Sequence, residues 1–474
     1  MPELARPQSK LLIVGAGIGG LSAAIALGRA HQNVTIIEQS AQLGEVGAGV
    51  QLGPNVNHVL KHWGVDKALE ALAFEPEAVE VHHALSGKQL ARLPLAESFR
   101  RRYGAPYLTA HRADLHAALL AAVRAGGCAD IRLNQRLQSI QLESFKALQE
   151  EGIKASGTLT VSTESTIDSK TTANTQTSET QVLDQQSCEH YSALVGADGV
   201  WSKVRDLIFS GQQSALKARV NTKAGINSVV FSGDLAYRSL VLQKMLPAHL
   251  RLKTVKVWLG PDMHLVQYPV RGGEWLNSVL FLSPRLNGMA NKSLSMDVLS
   301  ALDWTINMSQ EDKAANIQSI LPSTCSKVQD TVRAIEAWSV WPLMKSNPLT
   351  HSSQMVRGSI ALLGDAAHPM LPYLAQGAGM AIEDAFELGE LFNNANYNSS
   401  KQHGLVESIE TTLQRYATNR WKRCASVQSR ALQNAHIFHA SGALAWARDR
   451  SLELLGDKIL DMPWLYGYQR TQSC

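Results

Sequence analysis

The chain has 474 residues, 45% hydrophobic and 18% charged, with 45 basic against 41 acidic side chains. That length exceeds one ordinary core and implies two or three domains, and a net charge of +4 spread without stripes excludes an electrostatic nucleic-acid binder. Five scattered cysteines, Cys128, Cys188, Cys325, Cys424 and Cys474, form no CxxC, which excludes a disulfide framework or structural zinc and suits a reducing compartment. No apolar run reaches the ~18 residues of a bilayer span. The apolar run at the N-terminus is too short for a signal peptide and enters a glycine turn directly, so a cytoplasmic protein without an integral membrane segment is expected.

The first element is the clearest. In "KLLIVGAGIGGLSAAIALGRAHQNVTIIEQ", Leu11 to Val14 reads as a buried strand, Leu21 to Ala30 as a helix, and Val34 to Ile37 as a second strand ending in Glu38. Between strand and helix, Gly15, Gly17 and Gly20 form G-x-G-x-x-G. Gly15 permits the tight turn, Gly17 lets a pyrophosphate approach the backbone, and Gly20 lets helix and strand pack closely. The helix N-terminus then faces phosphate with free N–H groups. Glu38 stands where an acid accepts from a ribose 2′-OH, which disfavours NADP here and leaves NAD and FAD. A second glycine-rich segment, "GEVGAGVQLGPN" (44–55), favours FAD, whose ring extends further from its ADP half and needs backbone beside it.

Trp63 to Leu72 reads as a short helix, "HHALSGKQLARLPL" as a hairpin, and Leu115 to Val123 as helical, with Asp114 as its N-cap and Arg112 just ahead. The run from Thr163 to Gln181 is about half Ser and Thr and has almost no apolar side chains. It reads as an expanded hairpin loop between strand-like flanks. "HYSALVGADGVWSKVRDLIF" reads as strand, Asp198-Gly199 turn, and helix from near Ser202. From about Asn221 to Trp341, "LAYRSLVL", "TVKVWLG", "HLVQYPV", "LNSVLFLS" and "AIEAWSVWPL" read as the strands of a second, largely antiparallel domain. Then comes "ALLGDAAHPMLPYLAQGAGMAIEDAFELGELF": a strand, Asp365 at its end, a Pro- and Gly-rich turn, and a helix from near Gly377 with no acid until Glu383.

Three motifs, "GAGIGG" with Glu38, "GADGVWSKVRD" and "GSIALLGDAAHPMLPYLAQGAGMAIEDA", together resemble the group A flavin-dependent aromatic hydroxylases, in particular the salicylate hydroxylase-like and 3-hydroxybenzoate 6-hydroxylase-like members. The resemblance runs from Leu11 to about Leu391 and leaves out the Ser/Thr run and the last eighty or so residues. It implies an α/β fold with a discontinuous Rossmann-like FAD-binding domain of the GR2 type (8–85, 107–215 and 343–395). It also implies a substrate domain (86–106 and 216–342); the remaining tail, with "HASGALAWARDRSLELLGDKILDMPWLYGY", reads by itself as a helical C-terminal region (396–474). It implies FAD contacts at Gly15, Gly17, Ile18, Gly20, Glu38, Gln39, Val50, Arg112, Asp198, Asp365, Gly377, Ala378 and Gly379. Asp365 would bind the ribityl chain, and the helix from Gly377 would aim its N-terminus at the negative edge of the reduced ring.

No second dinucleotide motif is present, so NADH or NADPH is expected as a transient co-substrate. The implied chemistry is reduction of FAD, O₂ addition to give a C4a-hydroperoxyflavin, and hydroxylation of a small phenolic or aromatic acid. An activated phenol needs a partner for its oxygen. Tyr237 is the first candidate, then Gln51, His264 and the turn at Pro372. No metal site is expected, and a homodimer is carried as an expectation. "WPLMKSNPL" (341–349) departs from the Asp-Arg-Asp-Pro-like stretch of many relatives, and the position of Pro372 varies among them, which leaves the substrate open. Two other enzyme classes remain: a flavin oxidase or dehydrogenase of the amine-oxidising type, and a quinone-pathway ring hydroxylase. A non-catalytic flavin-fold binding protein is a third reading, against which the intact glycines and both acids argue.

Overall fold

The computed structural model describes residues 10–44, 49–95, 97–143, 158–165, 187–209, 229–283, 317–401 and 407–468. The first six-stranded sheet grows from the N-terminal strand Lys10–Val14. That strand pairs in parallel with Asn33–Ile37 on one side and Ala193–Gly196 on the other. Ala129–Arg132 and Ile360–Leu362 extend the parallel set outward, and Val356–Arg357 closes one edge antiparallel. These strands are nearly continuous apolar runs, as a sheet covered on both faces requires. Helices Ile18–Arg29 and Gly377–Lys401 pack together over it. Gly389 makes that crossing close: a Cβ built there lies 2.6 Å from the Cβ of Ala26 and 2.8 Å from its carbonyl oxygen.

A seven-stranded sheet forms the second body. Its order is Ser339–Lys345, Val230–Leu242, Trp275–Leu282, Met263–Val270, Val255–Gly260, Ala78–His83 and Gln89–Pro94. Every pairing is antiparallel except that of Val255–Gly260 with Ala78–His83. The hairpin reading of 82–95 holds, but both its strands belong to this sheet, so the division falls before Ala78 rather than after residue 85. The short two-stranded ribbon Gly49–Leu52/Leu108–His111 bridges the bodies: Gly49 N–H donates to Asn277 Oδ1 at 2.8 Å, and the Thr109 hydroxyl donates to the Pro269 carbonyl at 2.5 Å.

Local readings hold where periodicity was strong and shift where caps decided them. The helix expected over 63–72 is instead Pro54–Trp63, with Pro at its first position and a left-handed Gly64 at its end, followed by the single turn Asp66–Leu69. Asp114 is not an N-cap. The helix begins at Arg112 after His111, and the Asp114 carboxylate instead accepts from Arg271 at 3.2 and 3.3 Å. Strands Thr158–Ser165 and Ser187–Tyr191 pair antiparallel, as a hairpin requires; 166–186 lie outside the described residues.

The chain ends in helices Ile409–Phe438, Gly442–Leu455, Asp457–Leu460 and Pro463–Tyr466. Among the described residues no helix is long and apolar enough to cross a membrane. Gly389→Ala tests the helix crossing. Overpacking of this kind costs about 1–3 kcal/mol, and a lowered melting temperature with earlier release of flavin fluorescence on heating is expected. An unchanged melt would show that the crossing relaxes freely.

Candidate active site

Four strand ends of the parallel sheet point the same way, and each hands over to a turn named above. Gly15 follows Val14, Glu38 follows Ile37, the 197–199 turn follows Gly196, and Gly364 lies just beyond Leu362. Open α/β sheets bind ligands in such a crevice at their carboxyl ends. Gly15 has φ +101°, and a Cβ there would lie 2.6 Å from the Ala197 carbonyl oxygen. A Cβ on Gly20 would fall 1.9 Å from the Gly15 carbonyl oxygen, so no other residue fits this turn. Gly17 is the N-cap of helix Ile18–Arg29, which has no capping side chain and no acid in its first turn; Ile18 is buried beneath it. The Glu38 carboxylate turns back to accept the N–H of Ala16 and of Ser40, each at 2.9 Å, and Gln39 beside it is exposed. His116, which the sequence reading passed over, is buried under the same turn with Nε2 2.8 Å from the Ala16 carbonyl.

The Asp198 carboxylate is engaged in its own corner. It accepts from Ser202 Oγ at 2.6 Å and from the Val204 N–H at 3.1 Å, capping the helix 203–209. Burial pushes its pKa up against these hydrogen bonds. What faces the glycine turn is therefore the backbone of 197–198. Arg205, seven residues beyond Asp198, was also missed. Its guanidinium is buried and donates to the carbonyls of Val200 (2.7 Å), Ala366 (3.1 Å) and Asp365 (3.4 Å), tying the second motif to the third.

Asp365 is the exposed residue of an otherwise buried turn, Gly364 to Pro369. A Cβ on Gly377 would lie 3.9 Å from its Oδ1, so the acid stands beside the start of helix Gly377–Lys401, whose first turn carries no acid. Ala378 is half-buried there, and Gly379 packs on Val56. The turn is held from below by charge. Asp384 accepts the Gly364 N–H (3.0 Å), lies 2.6 Å from His368 Nε2 and accepts from Arg420 Nε (2.7 Å); all three side chains are fully buried. Glu383, also buried, takes Arg423 at 2.6 and 2.7 Å and the Asn55 amide at 2.7 Å. His368, Asp384 and Cys424 also lie close enough to ligate a metal, but the Arg420 cation already fills that charge.

Across the crevice, one face of the seven-stranded sheet presents Ala236, Arg238, His264, Val266, Tyr268, Asn277, Val279 and Phe281. The clusters they join include Leu371 and Tyr373 of the turn and Met380 of the helix. Gln51 stands at its edge, accepting from the Tyr107 hydroxyl at 2.6 Å and bonded to Tyr268. Val50 is buried next to it, Arg112 starts the helix behind it, and Pro372 is half-buried in the facing turn.

The Tyr237 expectation needs correction. Side chains alternate along a strand, and Tyr237 pairs with Leu280 and Val340 on the opposite face, fully buried in a cluster with Trp258, Leu265 and Trp338. Its neighbour Arg238 faces the crevice instead. His264 does face it, but it stacks on Phe281 (4.2 Å between centroids) and bonds His439 at 2.7 Å. Burial holds its pKa well below the usual value, so it is a neutral packing residue.

This geometry fits a flavin dinucleotide: a glycine turn shaped for pyrophosphate, an acid beside it, and an exposed acid next to an uncapped helix N-terminus. A model of the FAD binding domain family matches residues 8–237 and 297–419. The chain belongs to this family. It is 31% identical over 464 residues to 3-hydroxybenzoate 6-hydroxylase of Polaromonas naphthalenivorans, covering 97% of this chain and 96% of that protein. It is 28% identical to 6-hydroxynicotinate 3-monooxygenase of Bordetella bronchiseptica, over 89% and 90%. The fold matches a salicylate hydroxylase substrate complex with a TM-score of 0.69 at 21% identity, over 98% and 97% of the two chains. The protein is a group A FAD-dependent aromatic hydroxylase. The Polaromonas relative matches 97% of the chain, so that match reaches into the last eighty residues, which the sequence motifs had left unmatched.

Two substitutions separate holding the cofactor from holding the turn. Asp365→Ala leaves the fold intact and is expected to weaken FAD binding by roughly 1.5–3 kcal/mol, the worth of a charge-assisted hydrogen bond; equilibrium titration of the apoprotein reads this. Unchanged affinity would make Asp365 a turn residue only. Arg420→Met strands Asp384 and is expected to cost about 3–5 kcal/mol of stability, read by denaturant melting. The parent's stability has a pH window. Burial opposes charge on both Asp384 and His368, but their mutual attraction and Arg420 lower the first pKa, and Asp384 with Cys424 raises the second. Asp384's contribution is complete above its ordinary 3.8 and lost as pH falls; that of His368 is complete below 6.5 and lost only as pH climbs through its raised value.

Proposed function

We propose that the enzyme hydroxylates a small phenolic aromatic acid, using NADH or NADPH as a transient reductant and O₂. The observation that carries this is the juxtaposition of the exposed Asp365 and the bare helix N-terminus at Gly377 with a sheet face of aromatic side chains, Tyr268, Phe281 and Tyr373 among them. The substrates printed in its relatives' names, 3-hydroxybenzoate and 6-hydroxynicotinate, are ring acids of this class.

FAD, when bound, would carry the electrons of NAD(P)H to O₂ and hold the activated oxygen. The chain's own residues do the rest. The turn at Gly15–Gly20 and the first turn of helix Ile18–Arg29 would hold the pyrophosphate, Glu38 the adenosine ribose, and Asp365 the ribityl chain. The N-terminus at Gly377, Ala378 and Gly379 favours negative charge at the ring edge beside it. Gln51, oriented by Tyr107, and the backbone at Pro372 are the candidates to orient the substrate's phenolic oxygen. Burial keeps the Tyr107 and Tyr268 hydroxyls protonated, so both act as donors. Closely packed Leu371, Tyr373 and Met380 limit water, which keeps oxygen transfer ahead of peroxide loss.

The reading extends to a cytoplasmic homodimer. Exposed, unpaired Cys128 and Cys188 suit a reducing compartment, and Leu444, Trp446, Leu454 and Leu455, exposed on helix Gly442–Leu455, suit contact with a second copy.

The test is a panel of hydroxybenzoates and hydroxylated N-heteroaromatics screened with the yellow holoenzyme for stimulated NAD(P)H consumption and for a product carrying one added oxygen. Stimulation with no added oxygen in any product would return the oxidase reading. Gln51→Leu is expected to lower product per NAD(P)H, with hydrogen peroxide making up the difference. Tyr237→Phe is expected to remain coupled, because its ring faces the far side of the sheet. Uncoupling by Tyr237→Phe alone would overturn the assignment of faces.

A further inference from the structure

The two-stranded ribbon that carries Gln51 ends at the pair Leu52 and Leu108. The chain leaves that end through Gly53 and enters it from Tyr107. Tyr466, from the tail of the chain, is buried against both. A Cβ built on Gly53 would lie 3.2 Å from the Tyr466 ring, so glycine is what lets the ring come close. The same ring meets Tyr107 edge-on, with 6.0 Å between centroids and 83° between planes. Tyr107 then donates its hydroxyl to Gln51 Oε1 at 2.6 Å. Asn57 ties the backbones at this end, donating to the carbonyls of Leu52 (2.8 Å) and Pro106 (2.9 Å), and leaves the Tyr107 side chain to Tyr466. The tail itself is fixed on both sides of that ring. Ahead of it, the Asp461 carboxylate accepts from Arg102 and from the Tyr103 hydroxyl, both on helix Glu97–Tyr103. Around it, Arg423 donates to the carbonyls of Trp464 (2.9 Å) and Leu465 (3.0 Å), and its guanidinium lies over the Tyr468 ring at 4.0 Å. Two anchors flanking one buried ring fix where that ring stands, not only that it is buried.

We infer that Tyr466 is a positioning residue for oxygen transfer: it holds the Tyr107 ring, and through the Tyr107 hydroxyl the Gln51 amide, where Gln51 meets the phenolic oxygen of the substrate. This rests on the hydroxylase reading of the site and on the place given there to Gln51. Aromatic rings in edge contact prefer a definite angle, so the contact orients Tyr107 as well as packing it. The hydrogen bond to Gln51 needs that orientation, because the hydroxyl sits at the far tip of the ring. An error of about 1 Å at a reacting group can lower a rate by ~100-fold. A residue that never touches the substrate can therefore decide whether the activated oxygen is transferred or lost as peroxide. The tail of the chain becomes a working part of the crevice, and its two anchors explain why it is strapped across helix Ile409–Phe438 rather than left loose.

The experiment changes the ring in the full-length holoenzyme and follows coupling, using whichever acid of the panel above gives a hydroxylated product. Y466L is expected to lower product per NAD(P)H roughly two- to ten-fold, with hydrogen peroxide making up the difference, while FAD content and the stimulated rate of NAD(P)H consumption stay unchanged. Y466F keeps the ring and is expected to keep the parent's coupling. The double variant Y466L/Q51L is expected to be no less coupled than Q51L alone, because both changes act on one contact and cannot add. The inference is overturned if Y466L is coupled like the parent, or if its loss adds to that of Q51L; in either case an uncoupled Q51L leaves the hydroxylase reading standing. A fully coupled Q51L would remove the place given to Gln51 and the inference with it, and a panel with no hydroxylated product would remove the reading itself. If Y466L does not fold, D461N asks the same question through an isosteric change at the forward anchor: a partial fall in product per NAD(P)H supports the inference, and the parent's coupling overturns it.

Discussion

Asp384 is the constraint on which the site depends. A fully buried carboxylate is unfavourable unless each oxygen is paired, and here the pairs are the Gly364 amide, His368 and Arg420. The three partners come from two elements: the turn that carries Asp365, and the C-terminal helix Ile409–Phe438. One charge thus fixes the turn's height above the helix Gly377–Lys401 and locks the last quarter of the chain to the first sheet. Glu383, one residue earlier, does the same for Arg423. Arg423 in turn donates to the carbonyls of Trp464 and Leu465 and so fastens the tail.

That fastening has a structural consequence beside the site. Tyr466, held by the tail, makes edge contacts with Phe99, Tyr103 and Tyr107 at 5.6, 5.7 and 6.0 Å, and Tyr107 in turn donates to Gln51. A residue near the end of the chain therefore braces a hydrogen bond at the mouth of the crevice. Arg205 plays the matching role on the other flank, with one guanidinium shared by the turn after Val200 and the turn at Asp365. The dinucleotide turn is braced by His116 from beneath. None of these residues needs to touch a ligand; each holds backbone where a ligand would meet it.

The seven-stranded sheet divides labour by parity. Its odd positions on the strand through Tyr237 pack under Ser326–Arg333 and the 317–321 segment as plain core, and its even positions look into the crevice. The buried row from His264 through His439 and Ser283 to Asp234 and Tyr373 stiffens that second face with polar contacts while leaving no ionised histidine in it.

The sequence by itself determined the parts whose chemistry is local. Gly15, Gly17 and Gly20 between a strand and a helix, Glu38 at the next strand end, and an acid-free stretch from Gly377 to Glu383 each state a backbone requirement that only a few residue types meet, so the dinucleotide fold and its flavin were legible. The antiparallel second domain was legible from its β-branched and aromatic runs. Tertiary structure decided what depends on partners distant in the chain. Asp198 and Asp365 look alike as acids at strand ends, yet one is spent on Ser202 and Val204 and the other is exposed in the crevice. The helix placed at 63–72 belonged before Gly64, because a proline start and a glycine stop outweighed its apolar content. Tyr237 and Arg238 differ by one position. Which of them faces the crevice is set by the register of Val230–Leu242 against Trp275–Leu282 and by which face the Pro-rich turn covers, and a single strand's sequence contains neither.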